Sequence, residues 1–124
     1  MSYIVERGNM QNLEELTKKL IAFRKVREWE QFHKPKDLAV SLSLEAAEVL
    51  EHFQWKSEKE IEKYVKTHKD EIGEELADVF NWVLLLSHDL GIDIISASAK
   101  KIEKNALKYP VSKSKDKNTK YTKL

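Results

Sequence analysis

The spacing of apolar residues along the chain predicts four helices and no strands. The first helix begins after Asn12, which forms a capping-box pattern with Glu15, and extends to about Trp29 or Phe32. Pro35 ends this helix or opens the next one. The positions that recur at helical spacing in the first helix are Leu13, Leu16, Leu20, Phe23 and Arg27.

The second predicted helix covers roughly Asp37 to Gln54 and is apolar on two sides. One broad arc holds Leu38, Ala39, Leu42, Ala46, Val49, Leu50 and Phe53, and a second holds Val40, Leu44, Ala47 and Trp55. A narrow polar stripe lies between them, formed by Ser41, Glu45, Glu48 and His52. A helix this apolar must contact more than one neighbour. The pattern therefore predicts an all-α four-helix bundle that also associates with further copies through its helices.

The third predicted helix is long and has clear signals at both ends. Ser57 and Glu60 form a strong capping box, so the helix begins near Glu58. The apolar periodicity lapses over residues 67–70 and then resumes. Gly91 suits the position that follows a helix end, because glycine tolerates the left-handed conformation found there.

The last helix is predicted from its cap, Asp93, to about Lys108, and Pro110 ends it. Residues 111–124 carry five Lys and one Asp and few apolar anchors. We therefore expect one domain over residues 1–110 and a basic, flexible tail over residues 111–124.

Composition narrows the function classes for this chain of 124 residues. The absence of cysteine excludes disulfides, thiolate zinc sites and cysteine nucleophiles. The longest aliphatic run, residues 83–86, is far too short to span a membrane, and the first residues lack a signal-peptide pattern. These features predict a soluble, cytoplasmic protein without a membrane partner. Because 11 of the 21 acidic residues fall between positions 45 and 78, specific nucleic-acid binding is not expected either.

Two acidic pairs carry the candidate chemistry. Glu45 and Glu48 are one helical turn apart, and so are Glu75 and Asp78. Antiparallel neighbouring helices would bring the two pairs face to face. Four converging carboxylates repel one another unless a cation neutralises them. Oxygen ligands alone select a hard cation, Mg²⁺ or alternatively Mn²⁺, and Mg²⁺ commonly shares its coordination shell with substrate phosphates.

A simpler interpretation of these pairs remains open at this point. In a chain so rich in acidic residues, some pairs at this spacing arise by chance and lie on solvated helix faces. Glu75 argues against it, because the helical wheel places this residue between Trp82 and Leu86. By spacing alone, neither His33 nor His52 is expected to be a metal ligand. His52 shares the polar stripe with Glu45 and Glu48, so it would either pair with them or be an ordinary surface histidine. A di-iron site would need a second Glu-x-x-His pair beside the single one that ends at His33.

Aromatic and basic residues offer candidate substrate contacts, each with an ordinary structural alternative. Trp29 and Trp55 lie at helix ends and would either stack a base or pack as core, whereas Trp82 is expected in the core. Three further residues, Lys101, Asn105 and Tyr109, share one edge of the last helix. This edge would either contact phosphate and sugar or remain a solvated helix edge.

The two acidic motifs, Glu45-Ala-Ala-Glu48 and Glu75-Leu-Ala-Asp78, resemble the signature of the all-α nucleoside triphosphate pyrophosphohydrolases, the MazG-like group. Residues 27–35, 53–55 and 101–110 resemble the dCTP pyrophosphatase branch of that group. The resemblance covers about residues 12–110.

The resemblance implies hydrolysis of a nucleoside triphosphate, most naturally dCTP or a modified dCTP, to the monophosphate and pyrophosphate. It also implies a dimer or tetramer. The positions that match the family's Mg²⁺ ligands are Glu45, Glu48, Glu75 and Asp78, and Glu48 is our candidate for accepting the proton of the attacking water. The positions that match its base pocket are Trp29, His33 and Trp55, and those that match its phosphate and sugar contacts are Lys101, Asn105 and Tyr109. Asn81, one turn after Asp78, would contact the metal shell or the substrate, or merely fill polar space.

Three rival interpretations remain from the sequence. The same scaffold could act on another base or on a phosphoribosyl nucleotide. The chain could also be a non-catalytic helical oligomer that binds a partner protein, although intact acidic motifs argue against a site that has lost its activity. Finally, the basic tail could attract nucleic acid without sequence specificity.

Overall fold

The computed structural model describes residues 12–124, and every regular element in that range is helical, as predicted. Helix α1 spans Leu13–Val26, and the Asn12 side chain accepts a hydrogen bond of 2.8 Å from the Glu15 N–H at its start. The helix ends earlier than the sequence pattern predicted. Glu28 adopts a left-handed conformation, with φ of 54°, which breaks the helical path, and Trp29–Phe32 form a separate 3₁₀ turn.

The buried face of α1 includes a charged residue. Arg24 is buried at 7% exposure, whereas Phe23 remains 48% exposed and Arg27 is exposed. Arg27 therefore recurs at helical spacing without lying on the buried face. Arg24 follows Leu20 by four residues and so continues the same helix face, and an ion pair with Asp89 stabilises its charge there.

Helix α2 spans Pro35–Glu51, with the proline in the first turn, where its missing N–H is not needed. Helix α3 spans Glu58–Asp89, and both hydrogen bonds of the predicted capping box at its start are present. The backbone of α3 is non-helical at His68, inside the segment where the apolar pattern lapses. Gly91 follows the end of α3 with φ of 68°, the left-handed conformation expected from the sequence.

Helices α1, α2 and α3 pack around a small core. Leu38 of α2 is 1% exposed, and Ile72, Leu84 and Leu85 of α3 are also buried. Helices α2 and α3 run antiparallel, because the end of α2 contacts the beginning of α3 through His52 and Tyr64. The second apolar side of α2 stays open in the single chain, where Val40 and Leu44 are half or more exposed, and Leu50 on the first side is also more than half exposed.

The chain separates into two compact units, the first ending at Gly91 and the second comprising Ile92–Leu124. In the second unit, α4 spans Ile94–Lys108, and the side chain of Asp93 accepts a hydrogen bond of 3.1 Å from the Ser96 N–H. The predicted start and end of this helix are confirmed.

Residues after Pro110 contain two short helical segments. Helix α5 spans Val111–Ser114, and Tyr121–Lys123 form a 3₁₀ turn. The rings of Tyr109 and Tyr121 meet edge to face at 5.9 Å, so this segment folds back towards the end of α4. The predicted division into a domain over residues 1–110 and a flexible tail over residues 111–124 stays a prediction. Residues 1–11 of that domain lie outside the described residues.

Within residues 12–124, no single helix combines the length and apolar character that crossing a membrane requires, although α3 and α4 taken together satisfy this criterion by length and composition alone. The predicted location in the cell stays a prediction.

Candidate active site

Three of the four predicted carboxylates meet where α2 and α3 run side by side. One carboxylate oxygen from each of Glu45, Glu48 and Glu75 lies within 4.8 Å of the other two. Glu45 and Glu48 come from adjacent turns of α2, and Glu75 faces them from α3. Glu45 and Glu75 are half-buried, whereas Glu48 is exposed. The antiparallel packing predicted from the sequence therefore brings these acidic groups together.

Crowding changes the acidity of this cluster. The pKa of Glu75 is raised to about 7, first through its hydrogen-bonding interaction with the Glu48 carboxyl, then by burial and by the charges of Glu48, Glu45 and Asp78. The pKa of Glu45 is also raised, mainly by burial and then by Glu48 and Asp78. Without a cation, the cluster therefore tends to retain a proton near neutral pH.

Asp78 faces the same region from the next turn of α3. It lines a cavity together with Glu45, and its charge contributes to the raised pKa values of Glu45 and Glu75. Asp78 is not one of the three carboxylates that meet within 4.8 Å. The four-ligand metal site stays a prediction, with three residues in immediate proximity and the fourth beside them.

The donor set suits a hard divalent cation. The Oε2 atoms of Glu45 and Glu75 are buried and have no hydrogen-bond partner among the described residues. Buried anionic oxygens without donors are strongly unfavourable, and a cation would satisfy both at once. Because all candidate ligands are carboxylates, Mg²⁺ and Mn²⁺ fit better than metals that prefer nitrogen or sulfur.

The cavity beside the acidic cluster has a volume of about 430 Å³. Its acidic and amide groups come from Glu45, Asp78 and Asn81. Most of the remaining wall is apolar or aromatic and consists of Leu16, Leu20, Phe23, Trp29, His33, Trp82 and Leu85, while Lys19 and Arg24 complete it. A concave, mainly apolar site with a few charged groups at one end is typical of small-molecule binding.

Aromatic rings form a connected series along this wall. Phe23 meets Trp29 at 5.8 Å between ring centres, Trp29 lies 6.3 Å from His33, and His33 meets Trp82 edge-on at 5.4 Å. These distances and tilts are favourable for aromatic pairs and hold the rings in defined orientations. The series provides faces on which a planar ligand can stack.

His33 lies near the ion pair of Arg24 and Asp89. Burial lowers the pKa of His33, and the Arg24 charge lowers it further, while Asp89 and Asp37 act in the opposite direction. The Nδ1 atom of His33 is buried and has no partner among the described residues. The imidazole is therefore neutral at pH 7 and keeps one ring nitrogen available for a hydrogen bond.

The residues predicted to contact the substrate fall into three groups according to where the structure places them. Trp29, His33 and Asn81 line the cavity. Trp55 does not line it, and its side chain is 86% exposed in the single chain. Lys101, Asn105 and Tyr109 belong to α4 in the second unit, and their part in the site stays a prediction.

Sequence reasoning missed two residues of the cavity wall. Trp82 was expected to be core only, yet it lines the cavity and contacts His33. Arg24 was not singled out at all. Its partner, Asp89, is 65 positions away in sequence, and the only local signal was a cation four residues after Leu20 on the inner face of α1.

Comparisons with known proteins identify related chains. The MazG-like family model matches residues 40–124. The dCTP pyrophosphatase 1 of Mus musculus is 34% identical over 114 residues, which cover 90% of this chain and 67% of that protein. The Homo sapiens protein of the same name is 32% identical over a segment of the same length.

A solved structure also matches this chain in fold. The crystal structure of a pyrophosphatase from Archaeoglobus fulgidus DSM 4304 superposes with a TM-score of 0.76 at 44% sequence identity, covering 82% of this chain and 94% of that one. The match confirms the predicted all-α class of pyrophosphatase fold. The acidic motifs, the helical architecture and these similarities lead to one conclusion: the chain belongs to the MazG-like family.

Proposed function

We propose that this chain is a Mg²⁺-dependent nucleoside triphosphate pyrophosphohydrolase that releases the nucleoside monophosphate and pyrophosphate. The observation that carries the proposal is the meeting of Glu45, Glu48 and Glu75 within 4.8 Å beside an aromatic cavity. Such a site joins cation binding to a surface on which a base can stack. The dCTP pyrophosphatase relatives favour dCTP, or a modified dCTP, as the substrate.

The carboxylates would hold the cation and position the phosphate chain. Bound Mg²⁺, with Mn²⁺ as a possible substitute, supplies charge neutralisation, polarisation of the α-phosphate and a lower pKa for a coordinated water. Glu45, Glu48 and Glu75 would hold the cation between them, with Asp78 beside them, and would keep the reacting phosphate at the acidic end of the cavity. Their negative charges are tolerated there only while the cation is bound.

Glu48 is the member of the three-carboxylate cluster best placed to meet the attacking water. It is the exposed member of the cluster, so water reaches it, and its carboxyl interacts with that of Glu75. We assign to Glu48 the acceptance of the proton from the attacking water as the bond between the α-phosphorus and the bridging oxygen breaks. Pyrophosphate then leaves with that oxygen.

The base is proposed to lie along the aromatic wall. Trp29 and His33 supply ring faces and a nitrogen there, and Asn81 also lines the cavity. Trp55, Lys101, Asn105 and Tyr109 are assigned to substrate binding on the family resemblance alone. The high exposure of Trp55 is compatible with a contact that forms only in the assembled protein.

We also propose that the active form is a homodimer or homotetramer. Large apolar side chains remain exposed on every long helix, and examples are Leu44 at 61%, Leu76 at 52% and Ile102 at 67%. Leaving this much apolar surface in water is unfavourable, and association between copies would bury it.

The decisive experiment measures pyrophosphate release from a panel of dNTPs and NTPs with Mg²⁺, with Mn²⁺ and with EDTA. We expect metal-dependent release that is fastest with dCTP or its 5-modified forms. Glu75→Gln and Asp78→Asn should each lower turnover by about 100-fold or more, because each removes several kcal/mol of transition-state stabilisation.

Glu71→Gln is the matched control, since Glu71 is an exposed acidic residue one turn before Glu75 on the same helix. It should keep normal turnover. Release without a metal, or normal turnover in Glu75→Gln, would contradict the proposal. A folded oligomer that releases pyrophosphate from no nucleotide would favour the non-catalytic binding role.

A further inference from the structure

Arg24 brings a positive charge into the wall of the cavity. Its side chain is 9% exposed, and its Nη1 and Nη2 atoms donate to the two carboxylate oxygens of Asp89 at 2.8 and 2.9 Å. This end-on pairing uses two of the five N–H groups of the guanidinium. The Nε atom is buried without a partner among the described residues.

A purely structural role does not account for this arrangement. The pair does join α1 to the end of α3. However, buried ion pairs contribute little net stability compared with apolar side chains of similar size, because both charges lose their hydration. An arginine that only joined two helices would also gain nothing from an unpaired Nε–H beside a ligand cavity. The buried Nε–H of Arg24 therefore lacks an acceptor among the described residues, and a bound ligand could supply one.

The location of Arg24 indicates which part of a ligand could supply that acceptor. Glu45 and Asp78 mark the acidic end of the cavity. Asp89, which holds Arg24, follows Asp78 on α3 by about three turns, or about 16 Å along the helix axis. If the phosphate chain lies at the acidic end, as the proposed function requires, the base extends towards Arg24 and His33.

The geometry of the pair determines which base edge would fit. With both terminal nitrogens engaged by Asp89, the Nε–H and the neighbouring Nη–H remain side by side. Two parallel donors match two adjacent acceptors. Cytosine offers O2 and N3, and guanine offers O6 and N7, which arginine commonly contacts in this way. Uracil and thymine carry a hydrogen on N3, and adenine has an amino group beside N7, so neither provides such a pair.

We propose that Arg24 is a specificity-determining residue that donates its Nε–H and adjacent Nη–H to two neighbouring acceptors on the base of the bound nucleotide. The inference rests on the proposed function, since it places a nucleotide in this cavity. Asp89 fixes the plane of the guanidinium. The neutral ring of His33 adds no second charge at the base.

The test compares size-matched bases by equilibrium binding of monophosphates, dCMP with dUMP and dGMP with dAMP. Trp29 and Trp82 line the cavity, so tryptophan fluorescence reports binding without turnover. The wild-type protein should bind the better member of at least one pair, dCMP or dGMP, about 10- to 100-fold more tightly than its counterpart, which is the range for hydrogen bonds to a charged group.

Arg24→Met should abolish that preference by weakening the favoured nucleotide and leaving the other unchanged. The double variant Arg24→Met/Asp89→Asn, which leaves no unpaired carboxylate, should do the same if the single variant folds poorly. Lys25→Met is the control, because Lys25 is an exposed cation next to Arg24 in sequence that does not line the cavity. It should keep the wild-type preference.

Two results would overturn the inference: no preference within either pair in the wild-type protein, or an unchanged preference in a folded Arg24 variant. Neither result depends on catalysis. Pyrophosphate release by the wild-type protein, measured separately, reports on the proposed function, so the two can fail independently.

Discussion

Removal of the Arg24 side-chain charge tests how the cavity wall is held together. In Arg24→Met, the carboxylate of Asp89, 21% exposed, loses its cation and both of its hydrogen bonds. Two charges about 4 Å apart attract by about 4 kcal/mol at an effective dielectric constant of 20. Breaking a buried pair typically costs about 3–5 kcal/mol. Because water still reaches Asp89, we expect the lower end, about 3 kcal/mol.

This loss predicts a clear change in thermal stability. An unfolding entropy of about 2.1 cal/mol/K per residue, applied to 124 residues, converts a loss of about 3 kcal/mol into a Tm lower by about 12 °C. The assay is thermal unfolding by circular dichroism at pH 7 and fixed protein concentration. Arg24→Met/Asp89→Asn should recover most of the loss, since no unpaired charge remains. A Tm of Arg24→Met within 2 °C of wild type would refute the reasoning.

The pH dependence checks the cause. Hydrogen bonding to Arg24 lowers the pKa of Asp89 below its ordinary value of 3.8. A carboxyl whose pKa is lower in the folded state contributes stability above the unfolded value, and this contribution is lost as pH falls through the folded value. The difference between wild type and Arg24→Met should therefore shrink below pH 3.8. A difference that persists undiminished at pH 2 would assign the effect to packing and not to charge.

Three further predictions concern the acidic cluster, a turn and the exposed surface. Because the pKa of Glu75 is raised to about 7, the metal-free protein should lose stability as pH rises from about 4.5 to 7; Glu75→Gln should flatten the thermal-melt profile over that range, and an unchanged slope would contradict it. Gly91→Ala should lower the free energy of unfolding by about 1 kcal/mol, because Gly91 has a φ of 68°. Gly73→Ala, inside α3 with open space around the residue, should raise it by about 0.5–1 kcal/mol. Denaturant unfolding measures both changes, and a change of the opposite sign would contradict the corresponding prediction. Leu44→Glu, on the open side of α2, should shift the protein to a smaller species in sedimentation, and an unaltered profile would exclude that side from the interface.

Local signals in the sequence correctly predicted the starts of three helices and the end of α3. Side chains with specific hydrogen-bonding roles define the starts of α1, α3 and α4, and the structure contains the caps at Asn12, Ser57 and Asp93. Gly91 likewise marks the end of α3. These predictions succeeded because a cap depends on residues only two or three positions apart.

Features that depend on distant residues were harder to predict. The end of α1 was placed too late because the aromatic residues beyond it continue a helical spacing, while the left-handed conformation of Glu28 has no reliable sequence signal. The burial of Arg24 depends on Asp89, which lies on another helix. A wheel drawn for one helix cannot identify such a partner, so the charged part of the cavity wall was missed.

The acidic cluster depends on both a local signal and a contact between distant residues. The one-turn spacing within each motif is a local feature, because residues three apart on a helix share a face. The sequence alone therefore predicts that Glu45 and Glu48 lie on the same face. Their approach to Glu75 required the antiparallel packing of α2 and α3, which was an assumption about topology. The structure brings these three carboxylates together as that assumption required.

The interruption of α3 at His68 divides this helix into a part that contacts the end of α2 and a part that carries acidic residues of the candidate site. The first part carries Tyr64, whose ring stacks on His68 at 3.9 Å and whose hydroxyl contacts His52, so it is fastened to the end of α2. The second part carries Glu75 and Asp78. A rigid rod of this length would pass every displacement of its first turns directly to the carboxylates, whereas a break in the regular backbone absorbs bending locally. The alignment of the acidic groups is thereby insulated from strain at the opposite end of the helix.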